Sequence, residues 1–304
     1  MDPRLAAAVA VIASGATVPL LVVTTFAGFE GVIVGIFLLT VVVAEAGRRG
    51  ATAYPRLPLL LGAAGAALAV VSIATGRLNG FSDEPYTTPA YAHLGWALYT
   101  QPIHLVYVQY GVTHTETSYY VYLPLLTYLQ VPGLDYRWVS LAAWGAALYL
   151  LRRDPFAAGG YAAAWIPLLA ANGQNDFVPL LALTVALALP AYRGQRWAEV
   201  VSLALKQPAN IVVFFYHLLR REYGRAVLAI AVTVAILAPF LWIDPGAVVC
   251  HVIVGDPGGG CGGHPVAFFV FKRNYWLYPA WAAALFGPAL VAGARRWRRR
   301  TSPR

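Results

Sequence analysis

Asp83 and Glu84 stand side by side in Ser82-Asp83-Glu84-Pro85-Tyr86, directly after a long apolar run, in a chain with only 13 Asp and Glu among 304 residues. An acidic pair on an ordinary surface is solvated loop. Here an oily stretch precedes the pair and aromatic Tyr86 follows it. A carboxylate held where water is scarce is a stronger base, so either acid suits proton abstraction from a substrate hydroxyl. Lys206 is the second conspicuous group. It opens Lys206-Gln207-Pro208 inside an apolar run with arginines at both ends. An ammonium there is expensive unless it serves a substrate or snorkels to the interface, and both readings stand.

Asn175 and Asp176 close the polar turn Asn172-Gly173-Gln174-Asn175-Asp176. They suit contact with a sugar, and Asp176 also suits a helix N-cap, the more ordinary role for an acid at that place. Lys272 and Arg273 offer either a second anion cradle or an interfacial anchor. Cys250, His251, Cys261 and His264 are admissible zinc ligands, but adjacent Cys-His followed by Cys-x-x-His matches no compact finger. A disulfide between Cys250 and Cys261 fits better if the loop faces an oxidising compartment, and closing the loop contributes roughly 3 kcal/mol in the chain-entropy picture. Gly258-Gly259-Gly260 lacks the Gly-Lys-Ser/Thr of a phosphate loop. His93, His104 and His114 do not fall on apolar spans, which argues against axial haem ligands.

The elements that must position these groups follow from composition. With 59% hydrophobic and 12% charged residues the chain is far from a soluble domain and reads as a polytopic membrane protein. Apolar runs at 5–26, 29–46, 57–75, 138–151, 157–172, 177–191, 226–242 and 275–294 predict an all-α fold of about eight full spans. The first run reads as a retained span rather than a cleaved signal. Residues 197–219, interrupted at Pro208, predict two half-length helices that dip in and return. The whole of 1–304 reads as a single transmembrane domain, with outer loops at 76–137 and 243–274.

Charge sets the orientation. Of the 22 Lys and Arg residues, only Lys206, Arg77, Arg137, Lys272 and Arg273 fall outside the links assigned to one side. That bias predicts cytoplasmic N- and C-termini, a cell-membrane location, and an extracytoplasmic SDEPY. It accounts for the net +9 without nucleic acid as a partner. The outer segment 76–137 is tyrosine-rich and its apolar runs are too interrupted to span, which predicts short interfacial helices. Its rings can form an aromatic belt, a platform for sugars or a polyprenyl chain, or both.

The order of features in 75–242 resembles the GT-C integral-membrane glycosyltransferases. It runs from a span to the DE pair with Tyr86 two places on, then Tyr91-Ala92-His93-Leu94-Gly95-Trp96, Tyr-x-Tyr-Leu-Pro-Leu at 120–125 and Val131-Pro132. Asn172 to Asp176, Leu205-Lys206-Gln207-Pro208 and Leu218-Leu219-Arg220-Arg221 are similar to the polyprenol-phosphate-mannose-dependent branch. The DE spacing lies closer to the protein-mannosyl and aminoarabinose transferases. The resemblance implies transfer of mannose or another hexose from a polyprenyl-phosphate carrier to a lipid, glycan or protein acceptor on the extracytoplasmic face. Asp83 or Glu84 is then the general base, with Glu84 orienting Asp83 or holding a divalent cation. The donor-side residues are Lys206, Lys272, Arg273, Asn175, Asp176 and Tyr86, and no cofactor is obligatory.

A transporter or flippase for a lipid-linked or sugar-like substrate is the rival. Broken helices and a buried lysine serve a substrate path as well as a cleft. A transport path needs polar groups reachable from both faces, whereas the candidates here gather at the outer one.

Overall fold

The computed structural model describes residues 54–75, 95–109, 112–120, 122–128, 135–162, 165–171, 173, 175–188, 193–253 and 277–301, with Glu45, Arg48, Arg49 and Thr52 before them. The expected spans at 5–26 and 29–46 lie outside these residues, apart from Glu45. So do Asp83, Glu84, Tyr86, His93, Cys261, His264, Lys272 and Arg273.

Helix α1, Leu57–Ala74, begins on a proline in its first turn, where the missing N–H loses no helical bond. Gly62 brings α1 close to a later helix, since a Cβ there would meet Leu148 Cδ2 at 2.5 Å. A short 3-10 turn, Gly95–Leu98, leads into strands β1, Ile103–Gln109, and β2, Val112–Ser118. These pair antiparallel with His104 opposite Thr117 and Val106 opposite Thr115. Interfacial helices were expected throughout this segment; the hairpin departs from that. Both strands are rich in β-branched residues, and alternation in Val112-Thr113-His114-Thr115-Glu116-Thr117 has the strand period of two. A short helix α2, Pro124–Tyr128, follows.

Helix α3, Tyr136–Leu151, is capped by the Asp135 carboxylate, which accepts from the Arg137 N–H. Asp154 caps α4, Pro155–Tyr161, in the same way. Helix α5, Trp165–Ala171, completes what the sequence presents as the single span 157–172. Next come α6, Phe177–Ala188; α7, Arg193–Leu205; α8, Gln207–Leu219; and α9, Tyr223–Ile243. One turn of α10, Pro245–Val248, passes into a π-turn at Val249–Ile253, and α11 spans Leu277–Thr301.

α6 is central, packing on α3, α7 and α11. The main core joins Trp144, Leu148, Tyr161, Ile166, Phe177 and Phe286. Two of its buried polar groups are paired: the Trp144 indole N–H donates to the Tyr161 carbonyl at 2.9 Å, and the Tyr161 hydroxyl to the Leu285 carbonyl. Among the described residues, α1 and α9 are long and apolar enough to cross a membrane, while the apolar α6 and α8 are shorter. α9 has 21 residues, roughly 31 Å of helix. It leaves Tyr223, Val227, Ile230, Val234 and Trp242 exposed, the reverse of a water-facing helix.

Candidate functional site at the tip of a folded-back helix pair

Lys206 separates α7 from α8. Its backbone is extended, with φ −153° and ψ 139°, and a proline occupies the first turn of α8. Eighteen residues of unbroken helix would hold Glu199 and His217 about 27 Å apart. Instead the His217 Nε2 and Glu199 Oε1 are 2.6 Å apart. The chain therefore reverses at Lys206, as the proline in the middle of the apolar run predicts.

The reversal aims the Lys206 side chain at the start of α6. Its Nζ is 2.9 Å from Asp176 Oδ1, it donates to Asn175 Oδ1, and it lies 4.7 Å from the centroid of the Tyr122 ring. All three polar residues are enclosed, with Lys206 5%, Asp176 1% and Asn175 0% exposed. The turn before α6 uses Gly173 at φ 80°, a backbone conformation that suits glycine. The Asp176 carbonyl accepts from the Leu180 N–H, so Asp176 occupies the N-cap position while its carboxylate faces Lys206. The N-cap position that the sequence suggests for Asp176 thus coincides with an ion pair to Lys206, which the sequence did not indicate. The positive end of the α6 dipole favours that carboxylate, and Tyr122 presents its negative ring face to the ammonium.

Several elements converge on this end of the molecule. Tyr136 at the start of α3, Leu126 of α2 and Leu205 at the hairpin tip share one apolar cluster. Above it Leu98, Tyr99, Ile103, Tyr120 and Leu123 pack on Leu237 and Phe240 near the end of α9. Tyr99 meets Phe240 edge to face at 5.0 Å and donates to the Tyr122 carbonyl at 2.8 Å, which fixes the tyrosine over Lys206. The opposite end is basic: Arg295 lies 3.6 Å from Asp154, Arg296 donates to the Leu150 carbonyl, and Arg220 and Arg225 flank the start of α9.

Part of Asp135 is buried, which pushes its carboxyl up. The Arg137 guanidinium, its backbone N–H and its charge outweigh that and hold the group below its ordinary value. Cys250 is disulfide-bonded, and the chain's other cysteine, Cys261, lies outside the described residues. His251 stacks on Tyr119 with ring centroids 4.3 Å apart. His104 is on β1 and its Nδ1 is 3.3 Å from Thr117 Oγ1. Among the described residues no three His, Cys, Asp or Glu are arranged to hold a metal ion.

Sequence reasoning missed the other end of the hairpin. His217, 3% exposed, faces Glu199 through Nε2 and Glu222 Oε2 through Nδ1, the latter at 2.7 Å. The signal was latent: once the chain is folded at Pro208, an acid and a histidine on the two arms fall at the same level. Compared with protein-family models, curated proteins and solved structures, the chain matches none.

Proposed function

We propose that this chain is a polytopic membrane glycosyltransferase of GT-C type, with about eight spans, that moves a hexose from a polyprenyl-phosphate carrier to an acceptor on the extracytoplasmic face. The observation that carries the reading is the meeting of Lys206, Asp176, Asn175 and Tyr122 at a helix break, under an aromatic layer supplied by the segment that follows Asp83 and Glu84. A buried ion pair in an apolar hairpin is a weak source of stability, because desolvation offsets most of the attraction. It is a good way to keep a cation ready for an anionic substrate.

In this reading the carrier phosphate takes Lys206 as its counter-ion, competing with Asp176. As the bond from the anomeric carbon to the phosphate oxygen breaks, charge gathers on the phosphate. A fixed ammonium in a water-poor site then favours the transition state over the ground state. Asn175 offers an amide to a sugar hydroxyl, and the tyrosine layer a flat face to the sugar or the prenyl chain. Asp83, on the acceptor side, takes the hydroxyl proton, with Glu84 orienting it. The nucleophile then enters opposite the leaving phosphate and inverts the anomeric centre. Lys272 and Arg273 remain candidates for a second contact to the phosphate.

The test is turnover of a radiolabelled polyprenyl-phosphate hexose by protein reconstituted with outer-surface acceptors. Asp83→Asn should abolish transfer while leaving the protein folded. Full turnover in both Asp83→Asn and Glu84→Gln would remove the base assignment. One observation favours the flippase reading: buried titratable groups at the second end of the same hairpin, Glu199 and His217. Movement of a fluorescent lipid-linked sugar between leaflets, without any transfer, is its signature.

A further inference from the structure

The foot of the α7–α8 hairpin carries charge that the transfer reaction does not use. His217 is held between two carboxylates, with Nε2 2.6 Å from Glu199 Oε1 and Nδ1 2.7 Å from Glu222 Oε2. Glu199 is on α7, His217 on α8, and Glu222 in the turn that opens α9, so this one ring ties three helices. Among the described residues, the other charged or titratable groups around it include Tyr216, Arg220 and Arg225. Arg220 donates to the Tyr216 hydroxyl at 2.6 Å and lies 3.0 Å from Glu222 Oε1; Arg225 is 3.9 Å from Glu222 Oε2. On the neighbouring α11, Arg295 and Arg296 are directed to Asp154 and the Leu150 carbonyl. Glu199 is 7% exposed, and among the described residues His217 is its ion-pair partner.

Hydrogen-bond chemistry decides how such a bridge behaves. While both carboxylates are ionised they only accept, so both bonds then need a proton on each ring nitrogen. Removing one proton sets a lone pair against a carboxylate oxygen and leaves a buried acid without a cation. The turn beside the ring is held against its own preference. Arg221 sits at φ 59°, where a glycine is usual. The Glu222 N–H donates to the His217 carbonyl at 2.9 Å and the Arg221 N–H to the Leu218 carbonyl at 3.0 Å. A non-glycine residue persists in that conformation when surrounding contacts impose it, and the Glu222 to His217 bond is one such contact.

We propose that Glu199, His217 and Glu222 form a proton-dependent clasp that closes the foot of the α7–α8 hairpin and so positions Lys206 at its tip. His217 is thus a positioning residue, not a catalytic one. Higher up, the hairpin is pinned by Ser202 to the Pro179 carbonyl at 3.0 Å and by Asn210 to Thr233, so an open clasp loosens the arms without unfolding them. The clasp is independent of what Lys206 binds. Only its consequence for turnover rests on the glycosyltransferase reading.

The experiment is hydrogen exchange, corrected for intrinsic rates, on the full chain in lipid nanodiscs. The reporting peptide covers residues 215–223. Raising the pH stepwise over a wide range should lower its protection about tenfold in the wild type. In Glu199→Gln the amide can donate to a bare Nε2 or accept from a protonated one, so the bridge survives loss of the proton and protection should be flat across that range. His217→Ala should show the roughly tenfold lower protection throughout. At one fixed pH it should raise acylation of Lys206 by a small amine-reactive ester about fivefold, because the tip is freed from Asp176. Wild-type protection that does not change with pH overturns the proposal, as does a Glu199→Gln profile that follows the wild type. Wild-type acylation of Lys206 in His217→Ala overturns the link to the tip. None of these readouts requires sugar transfer, so failure of the transferase reading leaves them unaffected.

Discussion

Lys206 and Asp176 define the residue scale. Both are buried and they form an ion pair at 2.9 Å, so removing one takes away a close counter-charge from the other. Lys206→Met should therefore lower stability by about 3 kcal/mol. Adding Asp176→Asn should recover much of that loss without restoring transfer. Thermal unfolding in detergent beside the transfer assay separates the two effects. Arg221, at φ 59°, gives an opposite expectation: Arg221→Gly should stabilise the protein by about 1 kcal/mol, since glycine adopts this conformation without strain. A lower melting temperature in that variant would mean the Arg221 side chain contributes more than its backbone strain costs.

Elements meet in ways that single residues control. α1 and α3 approach so closely at Gly62 that Gly62→Ala forces Leu148 to move, and a loss of about 1–3 kcal/mol in unfolding free energy is expected. The start of α3 depends on pH through Asp135. Its folded carboxyl lies below its ordinary value, so its contribution is complete above the unfolded value and disappears as pH falls through the folded one. Acid should thus loosen the first turn of α3, and Asp135→Asn should flatten that dependence in hydrogen exchange. At this scale the sequence was most legible where one strong local signal acts. Pro208 marks the reversal, and long apolar runs mark α1 and α9. The β1–β2 hairpin was harder, because Ile, Val, Tyr and Thr suit an aromatic membrane interface as well as a strand, and nothing local separates the two. Glu199 and His217 lie eighteen positions apart, and only the reversal at Lys206 makes them neighbours. Asn175, Asp176 and Lys206 were legible as polar exceptions in an apolar chain; that they touch depended on how α6 packs against α7.

The whole molecule has two unlike ends. One joins Tyr122, Asn175, Asp176 and Lys206 beneath the tyrosines; the other holds Arg220, Arg225, Arg295 and Arg296. If the positive-inside bias sets orientation, the two ends face opposite compartments. In whole cells, Thr115→Cys on the exposed face of β2 should react with an impermeant thiol reagent, and Arg221→Cys should react only after the membrane is opened. Labelling of both in intact cells would break the proposed topology.

Donor turnover by Lys206→Met tests the central claim most directly, with radiolabelled polyprenyl-phosphate mannose as donor and folding checked in parallel. A lysine that stabilises the leaving phosphate predicts a fall in kcat of about a hundredfold, with partial rescue in Lys206→Arg, because the interaction is made most strongly in the transition state. Unchanged kcat and KM in a folded Lys206→Met protein would contradict the assignment and reduce the buried pair at the hairpin tip to a structural contact.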